Sequence, residues 1–260
     1  MTSSTPFELD RSLLTGRVAV VTGASRGLGA GLATRFAEHG LALGLCARTE
    51  PELPDGSSGV TASVDVTDAD AVEQFARQVG SALGRIDIWV NNAGVIDPMG
   101  PQRDHDPSDV ARALLVNVGG VANGTRSFTN FLTARSTDPG PPRPLLVNIS
   151  SGAATSTYSG WSIYGAAKAA VDQFTRVVAV EEPMVRCHSV APGVIDTDMQ
   201  ASIRTHDART FPAIERFRAL HASGGWNSPS WVADHLLGLF TTALRPDDVV
   251  LRVPPQPTTD

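Results

Sequence analysis

The stretch Arg17-Val18-Ala19-Val20-Val21-Thr22-Gly23-Ala24-Ser25-Arg26-Gly27-Leu28-Gly29 decides how the rest of the chain is read. Arg17 to Val21 has the length and β-branched composition of a buried strand. Beyond it, Leu28, Leu32, Phe36 and Ala37 recur on one helical face. Between strand and helix lies a TGxxxGxG turn. In that position a glycine-rich turn aims backbone N–H groups and a helix N-terminus at a phosphate. Gly23 permits the tight turn, Gly27 lets the backbone approach a pyrophosphate, and Gly29 allows close helix–strand packing. A glycine-rich turn without a ligand is the competing reading, and the strand-to-helix placement favours the dinucleotide.

Outward from this unit, short apolar runs alternate with segments of helical period. Leu41–Cys46 and Val60–Val64 read as strands, and Val72, Phe75, Ala76, Val79 and Leu83 mark an amphipathic helix. Ile86–Val90 is the next strand. Pro107 suits the first turn of a helix that passes Val110, Leu114, Leu115, Val118 and Val121 toward Phe131. Ser136–Pro144 is too rich in proline and glycine for either element. Leu145–Ile149, Arg186–Val190 and Val249–Val253 follow as strands, with helices over Ile163–Glu182 and Trp231–Leu244. The alternation predicts an α/β fold: a single doubly wound (Rossmann) domain with a mostly parallel sheet of about seven strands covered on both faces. The expected organisation is an N-terminal extension, 1–15, then one cofactor-binding catalytic domain, 16–260. Its irregular segment 196–228 forms the substrate loop.

Composition narrows the function classes. The 260 residues carry 21 Lys+Arg against 27 Asp+Glu, a net −6 without a basic run, which argues against nucleic acid as a partner. Mean hydropathy is −0.04 and no apolar stretch approaches twenty residues, so no membrane span is expected. The first fifteen residues hold Glu8 and Asp10 and no apolar core, unlike a signal peptide. Cys46 and Cys187 sit in apolar runs and are expected as buried, reduced thiols of a cytoplasmic protein. Without a secretory route, the sequons at Asn123 and Asn148 carry no weight. The six histidines form no HxxxH or His/Cys group, so no metal site is expected, and Ser150-Ser151 lacks the GxSxG of a hydrolase elbow.

The end of the second strand selects the dinucleotide. A NAD site usually places an acid there for the ribose 2′-OH. This chain reads Cys46-Ala47-Arg48-Thr49, and Arg26 inside the glycine loop points to the same region. Two guanidiniums with no nearby carboxylate suit a 2′-phosphate, hence NADPH/NADP+. Solvated surface arginines are the alternative.

Thr22–Gly29, Asp65-Val66, Asn91-Asn92-Ala93-Gly94, Asn117, Ser151, Tyr164-Gly165-Ala166-Ala167-Lys168 and Pro192-Gly193 together resemble the short-chain dehydrogenase/reductase family, in the family's order. The resemblance implies a catalytic set of Asn117, Ser151, Tyr164 and Lys168. Tyr164 and Lys168 are i, i+4 on one helix face, and an ammonium there favours the phenolate. Tyr164 is the implied proton donor, Ser151 the hydrogen-bond partner of the carbonyl oxygen, and Lys168 the holder of the nicotinamide ribose. Asn117 is implied to keep a water linking Lys168 to solvent. Ser150 competes with Ser151, and the family's spacing to tyrosine selects Ser151. The implied cofactor contacts are Gly23, Ser25, Arg26, Gly27, Leu28, Gly29, Arg48, Asp65, Val66, Asn91, Ala93, Gly94, Tyr164, Lys168, Pro192, Gly193, Ile195 and Thr197.

A closer resemblance, to the sepiapterin reductase and benzil reductase subgroup, lies in Tyr158-Ser159-Gly160-Trp161, in Val180–Arg186 and in Ala191–Gln200. Sepiapterin reductases carry a pterin-gripping aspartate near the C-terminus, where this chain reads Val249-Val250-Leu251-Arg252-Val253-Pro254-Pro255. The departure favours a ketone or α-diketone, benzil-like, over a pterin. Trp161, Met199, Phe211, Phe217 and Trp226 are the expected pocket walls, with core packing as the competing role. Other readings are a pterin reductase, a 3-oxoacyl-carrier reductase using Arg204, Arg209, Arg216 and Arg218, and a non-catalytic NADP-sensing regulator. The resemblance implies a homodimer or homotetramer built on the helices bearing Asn117 and Tyr164.

Overall fold

The computed structural model describes residues 7–135, 142–207, 210–244 and 246–257. Seven strands, β1 (Val18–Thr22), β2 (Ala42–Ala47), β3 (Gly59–Ser63), β4 (Ile88–Asn91), β5 (Leu145–Ile149), β6 (Arg186–Ala191) and β7 (Val250–Arg252), form one sheet. The order is β3-β2-β1-β4-β5-β6-β7, and every neighbouring pair is parallel. The expected mostly parallel sheet is thus wholly parallel among the described strands. From β1 the chain first winds outward to β3, then returns and winds the other way. That reversal leaves a crevice at the carboxyl ends of β1 and β4, where open α/β sheets bind ligands.

Both faces of the sheet are buried, which is why the strands read as unbroken apolar runs. Along β1, Ala19 and Val21 join one core with Leu32, Phe36, Trp231 and Phe240, while Val18 and Val20 join the other with Phe75, Val79, Trp89 and Phe128. The first core is covered by α1 (Gly27–Glu38) and α8 (Pro229–Thr241), the second by α2 (Ala69–Leu83) and α4 (Gly120–Ala134). Fully burying an aromatic such as Phe36 or Phe128 contributes about 1.5–3 kcal/mol each.

Local signals set the helix ends. Asp68 caps α2 by accepting from the Asp70 and Ala71 amides at 3.0 Å, and Gly84 ends it in the left-handed region at φ +76°. Pro107 opens α3 (Pro107–Leu114), and Ser228 caps α8 by accepting from the Trp231 amide at 3.1 Å. The single helix expected from Pro107 toward Phe131 is in fact α3 and α4 joined through a π-turn at Leu115–Gly119. The wider turn leaves the apolar spacing almost unchanged, so the sequence pattern did not reveal it.

The irregular segment expected over 196–228 contains α6 (Asp198–Thr205) and α7 (Ile214–Ser223); α5 (Ser162–Glu181) lies between β5 and β6. Most of the 136–144 loop lies outside the described residues, as do residues 1–6 and Arg209. Within the N-terminal stretch, Leu14 is fully buried and Phe7 meets His235 edge-on at 5.2 Å. Cys46 and Cys187 are free and buried, and burial pushes both thiols up to about 12. No helix among the described residues is long and apolar enough to cross a membrane.

Candidate active site

At the start of α1, Arg26 is the N-cap and supplies no side-chain cap, so the first amides of the helix have no side-chain acceptor. The preceding turn is held from below. The Thr22 hydroxyl accepts from the Asn92 and Ala93 amides at 3.0 and 3.1 Å, and the Asn92 side chain donates to the Thr22 and Gly23 carbonyls at 2.9 and 3.1 Å. Glycine is required here by close approach: a Cβ on Gly29 would stand 2.3 Å from the Gly23 carbonyl oxygen. Gly27 is at φ +58°, and a Cβ there would stand 3.3 Å from the Thr197 methyl group. Uncapped amides over a glycine floor form a cradle for a pyrophosphate.

The two arginines stand at the outer end of this cradle. Both are exposed, and Arg48 is near enough to Asp65 for its charge to help hold that carboxylate below its usual range; the larger cause is hydrogen bonding from the Thr67 amide and hydroxyl. One expectation is corrected. A carboxylate does stand nearby, because Asp198 pairs with Arg26 at 3.2 Å from the first turn of α6. Its position 172 residues away in sequence hid it. Both partners are about 70 % exposed, and such pairs contribute only about 0–1 kcal/mol, so a phosphate can take its place.

The catalytic candidates gather at the carboxyl end of β5. Ser151 follows the strand with its hydroxyl near enough to that of Tyr164 to draw the tyrosine down, while accepting from the Ala153 amide at 3.2 Å. The Ser150 hydroxyl is buried without a partner, and it is Ser151 that faces Tyr164. One turn along α5, the buried Lys168 ammonium donates to the Ile149 carbonyl at 2.8 Å. Asn117, displaced by the π-turn, grips Val95 at both its amide (3.0 Å) and carbonyl (2.8 Å). Asn117 Oδ1 and Lys168 Nζ converge over Gly94, where a Cβ would lie 2.9 and 3.7 Å from them. That gap beside a lysine with spare donors fits a ribose edge, so the residues present suit a nicotinamide dinucleotide.

Burial works on the two titrating groups in opposite directions. It raises the Tyr164 hydroxyl above its ordinary value, against the Ser151 hydrogen bond that lowers it. Lys168 is lowered to about 8 by burial, against the Asp172 carboxylate one turn further on. The expected depression of the tyrosine by the ammonium is therefore not the dominant effect. Desolvation prevails, and Lys168 sits 5.7 Å from the ring centroid, not at the hydroxyl.

An aromatic cluster packs against Tyr164. Trp161 stacks on Phe211 at 4.6 Å and meets Tyr164 at 5.7 Å, with Phe217 and Tyr158 completing the cluster and Met199 at its margin. Trp226 does not belong to it. Its ring lies on His221 at 5.0 Å, beyond the left-handed Gly224 that ends α7. Of the basic set on this segment, Arg204 pairs with Asp196, Arg218 with Glu215, and Arg216 donates to the Tyr158 hydroxyl, so no open basic patch forms among the described residues.

Asn148 and Asn227 escaped the sequence reading, and the side chain of Asn91, an expected cofactor contact, has a structural role. Asn91 points its side chain away from the cleft: it donates to Asn148 at 2.8 Å and accepts from the Trp89 indole at 2.8 Å, so only its backbone is left for a cofactor. Asn148 is fully buried and donates to Thr175 on α5, which ties β4, β5 and the catalytic helix together. Asn227 clamps the Pro192 carbonyl at 2.8 Å and crowds Gly193. A lone polar residue inside a strand is the one signal that pointed to Asn148; nothing in the sequence marked Asn227.

The short chain dehydrogenase family model matches residues 17–208. A benzil reductase ((S)-benzoin forming) of Bacillus subtilis (strain 168) is 32 % identical over 232 residues, covering 85 % of this chain and 92 % of that one. A sepiapterin reductase of Meriones unguiculatus is 35 % identical over 207 residues, covering 72 % and 77 %. Among solved structures, the KRED1-Pglu enzyme superposes with a TM-score of 0.75 at 29 % identity, covering 90 % of this chain and 98 % of that one.

Proposed function

This chain belongs to the short-chain dehydrogenase family, whose members are oxidoreductases that use nicotinamide cofactors, and from that premise we propose that it is an NADPH-dependent carbonyl reductase acting on a ketone or α-diketone of the benzil type. The observation that carries the reading is that the Ser151 and Tyr164 hydroxyls stand beside one another, one helical turn from the buried Lys168, whose ammonium meets the Asn117 side chain over Gly94. Bound NADPH would supply the hydride. The glycine turn with Ser25 and Leu28 would hold its pyrophosphate and Arg26 and Arg48 its 2′-phosphate. Asp65 and Val66 would border the adenine, and Asn91, Ala93 and Gly94 the ribose. Pro192, Gly193, Ile195 and Thr197 would border the nicotinamide.

In the reductive direction a substrate carbonyl oxygen accepts hydrogen bonds from both hydroxyls. Tyr164, kept neutral by burial, holds the proton that passes to the oxygen as negative charge develops there, and Ser151 remains as the stabilising donor. Lys168 and Asn117 stand behind Tyr164 on the route by which the proton is replaced. We take residues 16–260 as the catalytic domain and 196–228 as the segment over the substrate. We place the protein in the cytoplasm, a reading supported by its two free thiols.

Oxidation of NADPH in the presence of benzil tests this directly. Wild type is expected to prefer NADPH over NADH, and Arg48→Ser to weaken NADPH about tenfold to a hundredfold, the worth of lost charge-assisted hydrogen bonds, while sparing NADH. Equal use of both cofactors would overturn the arginine assignment. Cofactor binding without turnover of any carbonyl would favour the sensing regulator.

The reading includes a homodimer or homotetramer. Leu115, 52 % exposed, and Val177 and Val180, 46 and 81 % exposed, leave apolar surface on the π-turn and α5. Sedimentation is expected to show an oligomer that Val180→Glu weakens; a monomer at micromolar concentration would refute it.

A further inference from the structure

Arg252 closes β7 at the edge of the sheet, opposite Ala191 of β6. Because β6 lies between β7 and β5, a side chain from Arg252 must cross the end of β6 to reach anything that follows β5. It does: its guanidinium rests on Gly152, the residue after Ser151, where a Cβ would stand 2.8 Å from Nη2 and 3.4 Å from Cζ. The cation therefore lies over the carboxyl ends of the strands, beside the Ser151–Tyr164 pair, on ground that only a glycine leaves open. Arg252 is exposed, and among the described residues its guanidinium has no hydrogen-bond or ion-pair partner. Arg204 pairs with Asp196, and Arg26, paired loosely with Asp198, belongs to the cofactor end of the cleft. The buried Asp172 is occupied by the Ser189 hydroxyl at 2.7 Å.

A cation with free donors held against the turn of the site is a receptor for an anion. The cofactor's phosphates cannot be that anion. With the guanidinium at Gly152 after β5, the pyrophosphate cradle after β1 lies two strands or about 10 Å away at the usual spacing, beyond hydrogen-bond reach, and the 2′-phosphate position after β2 is a strand further. The anion belongs to the substrate.

We propose that Arg252 is a specificity-determining residue that binds a carboxylate on the substrate, making oxo acids with an apolar or aryl body the preferred class. This rests on the carbonyl reductase reading and names the substrate within it. The half-buried Tyr158 and Met199, packed on the buried Trp161, Phe211 and Phe217, supply the apolar wall for the body of such a molecule. In the reduction the carbonyl carbon gains the hydride, its oxygen gains the Tyr164 proton, and the carboxylate passes unchanged into a hydroxy acid as NADPH becomes NADP+.

The experiment compares matched acids and esters. Steady-state kcat/KM is measured with NADPH for phenylglyoxylate and 3-benzoylpropionate, for the ethyl ester of each, and for benzil, in wild type, Arg252→Gln and Arg252→Lys. Binding of mandelate to the enzyme–NADP+ complex is measured by calorimetry in the same three proteins. Wild type is expected to favour at least one acid over its ester. Arg252→Gln should lower that acid-to-ester ratio about tenfold or more, leaving benzil within about twofold, and Arg252→Lys should recover part of it. Mandelate affinity should fall in parallel. An acid-to-ester ratio and a mandelate affinity that Arg252→Gln leaves unchanged would overturn the proposal even if benzil is reduced. Arg252-dependent mandelate binding without reduction of any carbonyl would uphold the anion site and refute the reductase reading instead.

Discussion

Tyr164→Phe is expected to lower kcat for carbonyl reduction about 10²–10⁴-fold, the usual worth of a positioned acid, while NADPH affinity stays within about twofold. The substitution isolates the hydroxyl. The ring is buried, lies edge-on to Trp161 at 5.7 Å and packs with Ile203 and Phe211, and phenylalanine keeps all of that. What it removes is the proton donor and the partner of the Ser151 hydroxyl. Because burial holds the phenol neutral in the free protein, the proton is present before substrate arrives. The loss should therefore fall on the chemical step and not on binding. Single-turnover rates with saturating NADPH and benzil measure it. Adding Ser151→Ala should cost much less in the Tyr164→Phe background than in wild type, since the two groups serve one oxygen. A Tyr164→Phe enzyme that retains more than about a tenth of wild-type kcat would remove Tyr164 from the role of acid and leave Ser151 to be tested as its replacement.

The fold and the core of the site were legible because both depend on short-range patterns. The run Val18–Thr22 followed by Gly23, Gly27 and Gly29 fixes a strand, a turn and a helix whose backbones must touch, and only glycine avoids the clash at Gly29, where a Cβ would stand 2.3 Å from the Gly23 carbonyl oxygen. Tyr164 and Lys168 fall on one helix face by arithmetic. Other features depend on residues distant in sequence. Asp198 meets Arg26, Asn227 clamps Pro192, and Arg252 crosses β6 to reach Gly152, contacts that come from where β6 and β7 end. Trp226 was misplaced for the same reason: aromatic composition marks the loop after β6 as apolar, but which rings turn inward is set by where α7 stops at Gly224. Phe211 and Trp161 do turn inward, stacked 4.6 Å apart, and their burial gives them the competing core-packing role.

The second large effect centres on Lys168, and the sequence supplies an unusual means of observing it: Lys168 is the only lysine in the chain. Protein labelled with ¹⁵N at lysine side chains should give one resonance that titrates near 8, well below the ordinary value of about 10.4. Burial is the cause, since the ammonium is almost wholly shielded from water and has the Ile149 carbonyl as its fixed acceptor. The groups facing it are the Tyr164 ring, the Asn117 side-chain oxygen over Gly94 and the Asp172 carboxylate on its own helix. Only Asp172 favours the charged form, so Asp172→Asn should lower the titration further. The sign of the activity effect follows. Below about 8 the lysine is charged and supports proton resupply to Tyr164; above it the charge is lost. The kcat/KM for reduction in the free enzyme should therefore be level at neutral pH and decline as pH rises through about 8. Lys168→Met should lower kcat about 10²–10³-fold and abolish that inflection, and it should weaken NADPH binding as well, because the ribose loses its donor. A lysine resonance that titrates above 10, or a decline that persists unshifted in Lys168→Met, would show that another group controls the profile.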